Sequence, residues 1–236
     1  MNPPIRALVF DVFGTLVDWH GGVAREVRAH LQPLGLDVDA AAFALAWRAQ
    51  YQPAMDEVRR GLIPFGKLDL LHRRNLDVVL RELGLDAQVD EATRQSLNLA
   101  WHRLDAWPEV PAALARLRQR FLLAPCSNGH IALMVNLARR NGLRWDAVLG
   151  AEIARDYKPT PVVYQAAAAA LDLPREQVMM VAAHSWDLAA AAQAGLRTAF
   201  IARPNEHGPG VGETRAQVPV DYEAADLAAL ADTLGC

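Results

Sequence analysis

Polar side chains of types that can take part in catalysis follow four apolar runs, at the points where predicted strands end. They are Asp11 after run 5–10, Ser127 and Asn128 after run 121–126, Lys158 in the loop beyond run 147–151, and His184 and Asp187 after run 178–182. Taken singly, most of these are ordinary turn residues. In an open α/β sheet, however, ligands bind in the crevice outside the carboxyl ends of the strands. An aspartate at that point, as at Asp11, is therefore placed for chemistry.

The elements that must position these residues can be predicted from the apolar pattern. Beyond residue 110 the predicted strands 121–126, 147–151, 178–182 and 198–202 alternate with predicted helices. These helices are expected over 110–120, 131–141, 161–171, 187–194 and within 222–234. Such alternation is typical of a parallel sheet with helices on its faces. The predicted fold class is α/β, with a doubly wound parallel sheet.

The segment between the first strand and this alternating part is helical throughout. Helices are predicted over 23–31, 40–51, 68–83 and 91–103, with a break at 61–66. A crossover between parallel strands needs only one helix. We therefore expect an inserted helical domain, called the cap below, over residues 19–107. The core would then comprise residues 1–18 and 108–236.

Length, charge and cysteine count exclude several classes of partner. The chain has 236 residues and a formal net charge of −3 without a basic block, so nucleic acid is not expected as a partner. Cys126 and Cys236 are too few and too far apart to predict a disulfide framework or a zinc site. The N-terminus lacks the apolar stretch of a signal peptide, and no apolar run reaches membrane-spanning length. We expect a cytoplasmic protein with no membrane contact, and the sequence leaves a homodimer open.

The strand-end motifs resemble those of the haloacid dehalogenase superfamily. Asp-Val-Phe-Gly-Thr-Leu at 11–16, Ser-Asn-Gly at 127–129, Tyr-Lys-Pro at 157–159 and Trp-Asp at 186–187 match in order, and Trp-Arg at 47–48 matches in the cap. The closest resemblance is to its L-specific, type II 2-haloacid dehalogenases, which combine a Rossmann-like core with a helical cap. It implies hydrolysis of a small 2-haloalkanoic acid to a 2-hydroxy acid and halide, through an ester between the substrate and Asp11.

The resemblance also implies a role for each matching residue. The expected catalytic residues are the nucleophile Asp11, with Thr15, Lys158, Asp187 and His184. The expected substrate contacts are Val12 and Phe13 through their backbone amides, Arg48, Ser127, Asn128, Tyr164 and Trp186. In this scheme the positive charge of Lys158 would hold Asp11 ionised.

Phe13 separates this chain from the phosphatases of the same superfamily. Those enzymes have a second aspartate at this position, which protonates the leaving oxygen. A phenyl ring cannot donate that proton, and a leaving halide does not need one. Magnesium-using members also carry an acidic pair near the fourth motif, where this chain has Ala182, Ala183 and only Asp187. Because Mg²⁺ is held by carboxylates, we expect no metal and no cofactor.

His184 departs from the pattern of metal-free dehalogenases, which have asparagine here and serine at the position of Ala182. The imidazole could donate a hydrogen bond to the departing halide, which would matter most for fluoroacetate, or accept a proton from the hydrolytic water. It could also be purely structural. Two other functions remain as alternatives, a small-molecule phosphatase and a non-catalytic protein that has kept the fold.

Overall fold

A computed structural model describes residues 3–236 of the chain, and its centre is a parallel β-sheet. In chain order the strands are β1 Ala7–Phe10, β2 Val17–Asp18, β3 Asp105–Ala106, β4 Leu122–Ser127, β5 Leu149–Gly150, β6 Val178–Ala182, β7 Arg197–Ile201 and β8 Tyr222–Ala224. Six of them form one sheet in the order β5-β4-β1-β6-β7-β8. Because β1 lies between β4 and β6, the ends of these three strands meet at one edge.

Helices cover both faces of this sheet. In chain order the α-helices are α1 Trp19–Leu31, α2 Ala40–Ala49, α3 Tyr51–Arg59, α4 Leu68–Glu82, α5 Glu91–Asn98, α6 Val110–Leu117, α7 Ile131–Asn141, α8 Ala151–Ala154, α9 Pro161–Ala170, α10 Ser185–Gln193 and α11 Leu227–Thr233. Side chains of β1 alternate between two buried clusters. Leu8 and Phe10 pack with α6, α7 and α11, whereas Ala7 and Val9 pack with α9 and α10. The predicted doubly wound α/β fold is confirmed.

The register of the central strands explains why the predicted site residues converge. Ala7 to Phe10 of β1 pair with Leu122 to Pro125 on one side and with Val178 to Val181 on the other. The strands are apolar on both faces, as expected for a parallel sheet buried by helices. Continuing each strand past its last pair brings residue 11, residue 127 and residues 183–184 to the same edge.

The helical segment after β1 is bracketed by a short antiparallel ribbon. In this ribbon Val17 pairs with Ala106 and Asp18 pairs with Asp105. Helices α1 to α5 and 3₁₀ turns at Gln32–Leu34 and Leu99–His102 lie between its two strands. The ribbon thus brings the points where the chain enters and leaves the helical segment close together, near residues 18 and 107.

Several predicted boundaries differ from the observed ones for local reasons. Helix α3 was not predicted, and Pro53 lies in its first turn, where a missing N–H costs nothing. Strand β8 was missed because three residues are too few to show a period. Predicted strand 147–151 shortens to Leu149–Gly150, since α8 begins at Ala151. Helices 131–141 and 161–171 are confirmed to within one residue. No helix within residues 3–236 combines the length and the apolar character needed to cross a membrane.

Candidate active site

Asp11 stands directly after β1, at the start of a tight turn. Its backbone N–H still donates to Val181 of β6 (3.0 Å), so the strand holds the residue in place. The turn then closes with the N–H groups of Leu16 and Val17 both donating to the carbonyl of Val12. Gly14 has φ +85°, a conformation that favours glycine, and a Cβ there would lie 2.1 Å from Oε1 of Glu206. The turn therefore needs glycine both for its backbone and for the side chain packed against it.

Asp11 is 6% exposed, and both oxygens of its carboxylate are held by contacts. Oδ1 accepts from Lys158 Nζ (2.9 Å), and Oδ2 accepts from Thr15 Oγ1 (2.7 Å). The Thr15 hydroxyl in turn accepts from the Ala183 N–H (2.9 Å), which ties the ends of β1 and β6 together. His184 Nδ1 lies 3.2 Å from Oδ2, but it is not aligned for a hydrogen bond.

Lys158 is 1% exposed and lies between two carboxylates. Its Nζ contacts Asp11 and Asp187, its backbone N–H donates to Asn128 Oδ1 (2.8 Å), and Tyr164 donates its hydroxyl to Asp187 Oδ1 (2.5 Å). Burial alone would lower the pKa of the ammonium, but the two carboxylates raise it above its usual range. Lys158 is therefore a fixed cation.

The pKa values of the two carboxyls that contact Lys158 are shifted in opposite directions. Burial raises the pKa of Asp11, but the charges of Lys158 and His184 outweigh it and hold that pKa well below the usual range. The pKa of Asp187 is raised by burial and by the negative charge of Asp11, against the opposing effect of Lys158 and Tyr164. Asp11 is thus the carboxylate that remains ionised, as a nucleophile must.

His184 is held on its other side by Glu206. Its Nε2 lies 2.9 Å from both oxygens of that carboxylate, which also accepts from Trp19 Nε1 (3.0 Å). Burial disfavours the charged imidazole, yet Glu206 and Asp11 together raise the pKa of His184 to about 10. His184 is therefore an imidazolium in the free protein at neutral pH.

The residues after β4 complete the strand-end part of the site. Ser127 is fully buried, and its Oγ accepts from the Gly129 N–H (3.0 Å). Gly150 has φ +111°, and a Cβ there would lie 2.3 Å from the Ser127 carbonyl oxygen, so glycine is required beside this loop. Asn128 is buried with its Oδ1 held by the Lys158 N–H. The structure thus brings Ser127 and Asn128 to the edge where Asp11 and Lys158 lie.

The helical segment between β2 and β3 closes the site with aromatic rings and one arginine. Arg48, in the last turn of α2, has its Cζ 4.0 Å from the ring centroid of Tyr51 and 5.3 Å from that of Trp19. Its Nη1 is buried and has no hydrogen-bond partner among residues 3–236. Phe13 is 2% exposed and packs edge-on against Trp101. A guanidinium nitrogen left unpaired in such surroundings is suited to an anion.

The two remaining predicted substrate contacts are Trp186 and Val12. Trp186 is 41% exposed and stacks on His184 with centroids 5.9 Å apart, so its role as a substrate contact stays a prediction. Val12 is buried at the start of the turn after Asp11, where its carbonyl closes the turn.

Three residues near the site were not found from the sequence. Glu206 lies in a glycine- and proline-rich loop that was predicted only as a loop, and Tyr51 was predicted as the end of a helix. His72 of α4 stacks on Trp101 (centroids 4.3 Å apart), and burial and the charge of Arg48 lower its pKa far enough to keep it neutral. None belongs to a motif, so no local signal identified them.

A second group of imidazole and carboxylate side chains lies where the helical segment between β2 and β3 meets α7. It consists of Asp69, His102, His130 and Asn136, and we call it the seam cluster. His102 Nε2 lies 3.0 Å from both oxygens of Asp69, Asn136 Nδ2 contacts His102 Nδ1 (2.9 Å), and His130 Nε2 lies 3.5 Å from Asp69. The Asp69, His102 and His130 ligand atoms are close enough to converge on a cation. Because these groups already contact one another, they are equally suited to joining the cap to the core.

Comparison with known proteins supports one family. A model of the haloacid dehalogenase-like hydrolases matches residues 5–195. An (S)-2-haloacid dehalogenase from Pseudomonas sp. (strain YL) is 32% identical over 231 residues, which are 97% of this chain and 94% of that protein. The crystal structure of a defluorinating L-2-haloacid dehalogenase is similar with TM-score 0.95 and 43% identity, covering 98% of this chain and 96% of that one. Another L-2-haloacid dehalogenase structure has TM-score 0.93 and 45% identity, covering 98% of this chain and 99% of that one.

Proposed function

This chain belongs to the haloacid dehalogenase-like hydrolase family, and from that premise we propose that it hydrolyses the carbon–halogen bond of a small 2-haloalkanoic acid. The products are a 2-hydroxy acid and a halide. The observation that carries this proposal is the state of Asp11, a buried carboxylate kept ionised by Lys158 at the end of β1, with Phe13 two residues on. This combination suits displacement of a leaving group that needs no proton.

In the first step an Asp11 oxygen attacks the carbon that bears the halogen. A C–O bond forms as the C–X bond breaks, and the halide leaves with the bonding electrons. Attack from behind the leaving group inverts the carbon. Thr15 and Lys158 hold the carboxylate in one orientation throughout, so the nucleophile enters the reaction already positioned.

In the second step water attacks the carbonyl carbon of the Asp11 ester, which restores the carboxylate and releases the 2-hydroxy acid. Negative charge develops on the ester oxygen as the water adds. Lys158 lies within hydrogen-bonding distance of Asp11 Oδ1 and can stabilise that charge. Asp187 is fixed by Lys158 and Tyr164, so its role is to position the lysine.

The substrate carboxylate and the halide need donors that the protein does not already use. We assign Arg48 to this task, because its Nη1 is buried without a hydrogen-bond partner in the described residues and its guanidinium is fixed over Tyr51. The Ser127 hydroxyl and the backbone amides of Val12 and Phe13 are the further donors of this proposal. Asn128, held by Lys158 at Oδ1, keeps its amide NH₂ for the halide side.

A phosphatase of this superfamily requires a general acid and a magnesium site, and this chain has different residues at those positions. The position of its general acid is Phe13, which is buried against Trp101. Asp11 and Asp187 both contact the Lys158 ammonium, and Ala182 and Ala183 stand where magnesium-using members carry an acidic residue. We therefore rank the phosphatase well below the dehalogenase.

Halide release from L- and D-2-chloropropionate, beside a phosphatase assay with Mg²⁺, tests the proposal. We expect chloride only from the L-enantiomer, with D-lactate as the product, and no magnesium-dependent phosphate release. Retained configuration would contradict hydrolysis of an aspartyl ester. Phosphate release without chloride would replace the dehalogenase with the phosphatase.

The wider organisation is part of the same proposal. We propose residues 19–107 as the cap over a core of residues 1–18 and 108–236, of which residues 1 and 2 lie outside the described part. The cytoplasmic location and the homodimer also stay predictions. Light scattering on the purified protein would decide between monomer and dimer.

A further inference from the structure

His184 lies between two carboxylates that come from different parts of the chain. Its Nδ1 is 3.2 Å from Asp11 at the end of β1, and its Nε2 is 2.9 Å from Glu206 in the loop after β7. The other titratable groups that face this pair are Lys158, across Asp11, and His207, whose Nδ1 is 3.9 Å from Glu206 and whose pKa is lowered by burial. The stacked Trp186 ring is the neighbour from the helix that His184 precedes.

Glu206 is built into this position. It is 2% exposed, it accepts a hydrogen bond from Trp19 of α1, and its carboxylate packs against the backbone of Gly14. Burial raises the pKa of this carboxyl, but the charge of His184 outweighs it and lowers the pKa. Glu206 is therefore an ionised group whose two oxygens both face His184 Nε2, which fixes the orientation of the ring.

This orientation leaves the other ring nitrogen available beside the nucleophile. Although the residue is only 8% exposed, Nδ1 has no hydrogen-bond partner among residues 3–236. In the free protein this nitrogen carries a proton, because Asp11 and Glu206 both stabilise the cation. A protonated imidazole cannot accept a proton from water, so His184 is not a base at the start of the cycle.

Ester formation changes the charge around His184. Once Asp11 is alkylated it is neutral, and His184 has lost one of its two anionic neighbours. We propose that this loss converts His184 into the general base of the ester hydrolysis step, and that Glu206 is the positioning residue that holds it there. The inference rests on the proposed function, because it needs the Asp11 ester.

The proton balance closes over one cycle. After halide leaves, the imidazolium releases a proton to solvent, which accounts for the one proton formed in hydrolysis. Neutral His184 then takes a proton from the attacking water at Nδ1 while the new C–O bond forms. The tetrahedral intermediate breaks its bond to the substrate oxygen, and the Asp11 carboxyl proton passes to that oxygen. Asp11 is again a carboxylate and His184 again an imidazolium.

Glu206→Gln is the test, because it keeps the size of the side chain and removes the charge. Rapid quench followed by mass spectrometry of the Asp11 peptide separates alkylation from hydrolysis with 2-chloropropionate. We expect alkylation within about threefold of the parent, kcat lower by about 10- to 100-fold, and an accumulating ester. His184→Gln should accumulate ester more strongly. Glu213→Gln is the matched control, since this carboxylate from the same loop faces the Ser185 N–H (3.1 Å) and should leave the ester at the parent's level.

A pH profile of the parent gives a second, independent readout. Hydrolysis of the preformed ester should become faster as pH rises through one ionisation, while alkylation stays flat from about pH 6 to pH 9 because Asp11 and Lys158 keep their charges. Rescue of the profile by Glu206→Asp, which retains the charge, should be partial.

Two results would overturn the inference. One is a folded Glu206→Gln variant that slows alkylation as much as turnover with no ester accumulating. The other is a flat pH profile for ester hydrolysis in the parent, which is decisive even where the variant does not fold. A parent that releases no halide from any 2-haloacid would instead remove the proposed function itself, so the two failures are distinguishable.

Discussion

The chain holds two clusters of carboxylate and imidazole groups that differ sharply in charge. Around Asp11, three buried carboxylates face a fixed lysine cation and an imidazolium, and the Asp11 side chain is 9% exposed. In the seam cluster a single carboxylate, Asp69, is 26% exposed and meets two histidines. There burial lowers the pKa of His130, with Asp69 opposing, so that this imidazole tends to be neutral.

The difference shows that residue type does not decide what such a cluster does. His184 and His130 are both almost fully buried, at 8% and 3% exposure. Two close carboxylates overcome the cost of burying the charge at His184. At His130, Asp69 at 3.5 Å and the more distant Glu152 do not overcome it, because the charges of His102 and Lys67 oppose them. The first cluster places charged groups beside a nucleophile, whereas the second connects α4 and the turn at Leu99–His102 to α7.

Replacing the central carboxylate of each cluster should give the largest difference in activity between the two clusters. Asp11→Asn should lower halide release by about 10⁴-fold or more, because the nucleophile is lost. Asp69→Asn should leave halide release within about threefold of the parent, since only the seam is altered. Single turnover of the parent in ¹⁸O water should also place label in the Asp11 carboxylate. Label in the product alone in that first turnover would contradict the ester.

Replacing one cation in each region should change the free energy of unfolding by different amounts. Lys158→Met leaves Asp11 and Asp187 buried without their shared partner, and we expect the free energy of unfolding to fall by about 3–5 kcal/mol. Lys67, which is 57% exposed and 3.7 Å from Glu152 near His130, is the matched control. Lys67→Met should change the free energy of unfolding by less than about 0.5 kcal/mol. Urea unfolding measures both changes, and equal losses of stability would contradict the expected difference between the two regions.

The two histidines should give opposite slopes of stability against pH. The pKa of folded His184 is raised from 6.5 to about 10, so its stabilisation is complete below pH 6.5 and is lost as pH rises towards 10. The pKa of folded His130 is lowered from 6.5, so the unfolded chain takes up the extra proton as pH falls below 6.5, and stability decreases there. The stability lost in His184→Gln should therefore shrink at alkaline pH. The relative stability of His130→Gln should improve at acid pH. Parallel pH dependence in the two variants would argue against the assigned charges.

Chelation should have the smallest effect, namely none. We expect exhaustive treatment with a chelator to leave halide release unchanged, because Lys158 supplies the positive charge beside Asp11. Loss of activity that added Mg²⁺ restores would mean that the ammonium does not replace a metal at this edge. Added Zn²⁺ would then show whether the effect arises at the seam cluster instead.

The sequence by itself determined the parallel sheet, the helical segment after β1 and the strand-end positions of Asp11 and Ser127. Apolar runs of five or six residues predict buried strands through local pattern alone, and the residue after each run is expected at the carboxyl edge. For this reason Asp11 and Ser127 could be placed at one edge from the pattern alone, whereas Lys158 and Asp187 stand further beyond their runs and were assigned to that edge through the family motifs. Phe13 and Ala182 could likewise be interpreted from sequence, because each stands at a fixed offset within a motif.

Only the tertiary structure decided what surrounds those residues and which of them are charged. Glu206 reaches His184 from a loop with no periodic pattern, and Tyr51 and Trp19 reach Arg48 through the packing of α1, α2 and α3. The charge of His184 depends on burial and on two carboxylates nearly two hundred residues apart in the chain. Electrostatic energy depends on distance in space and on access to solvent, and sequence separation reports neither.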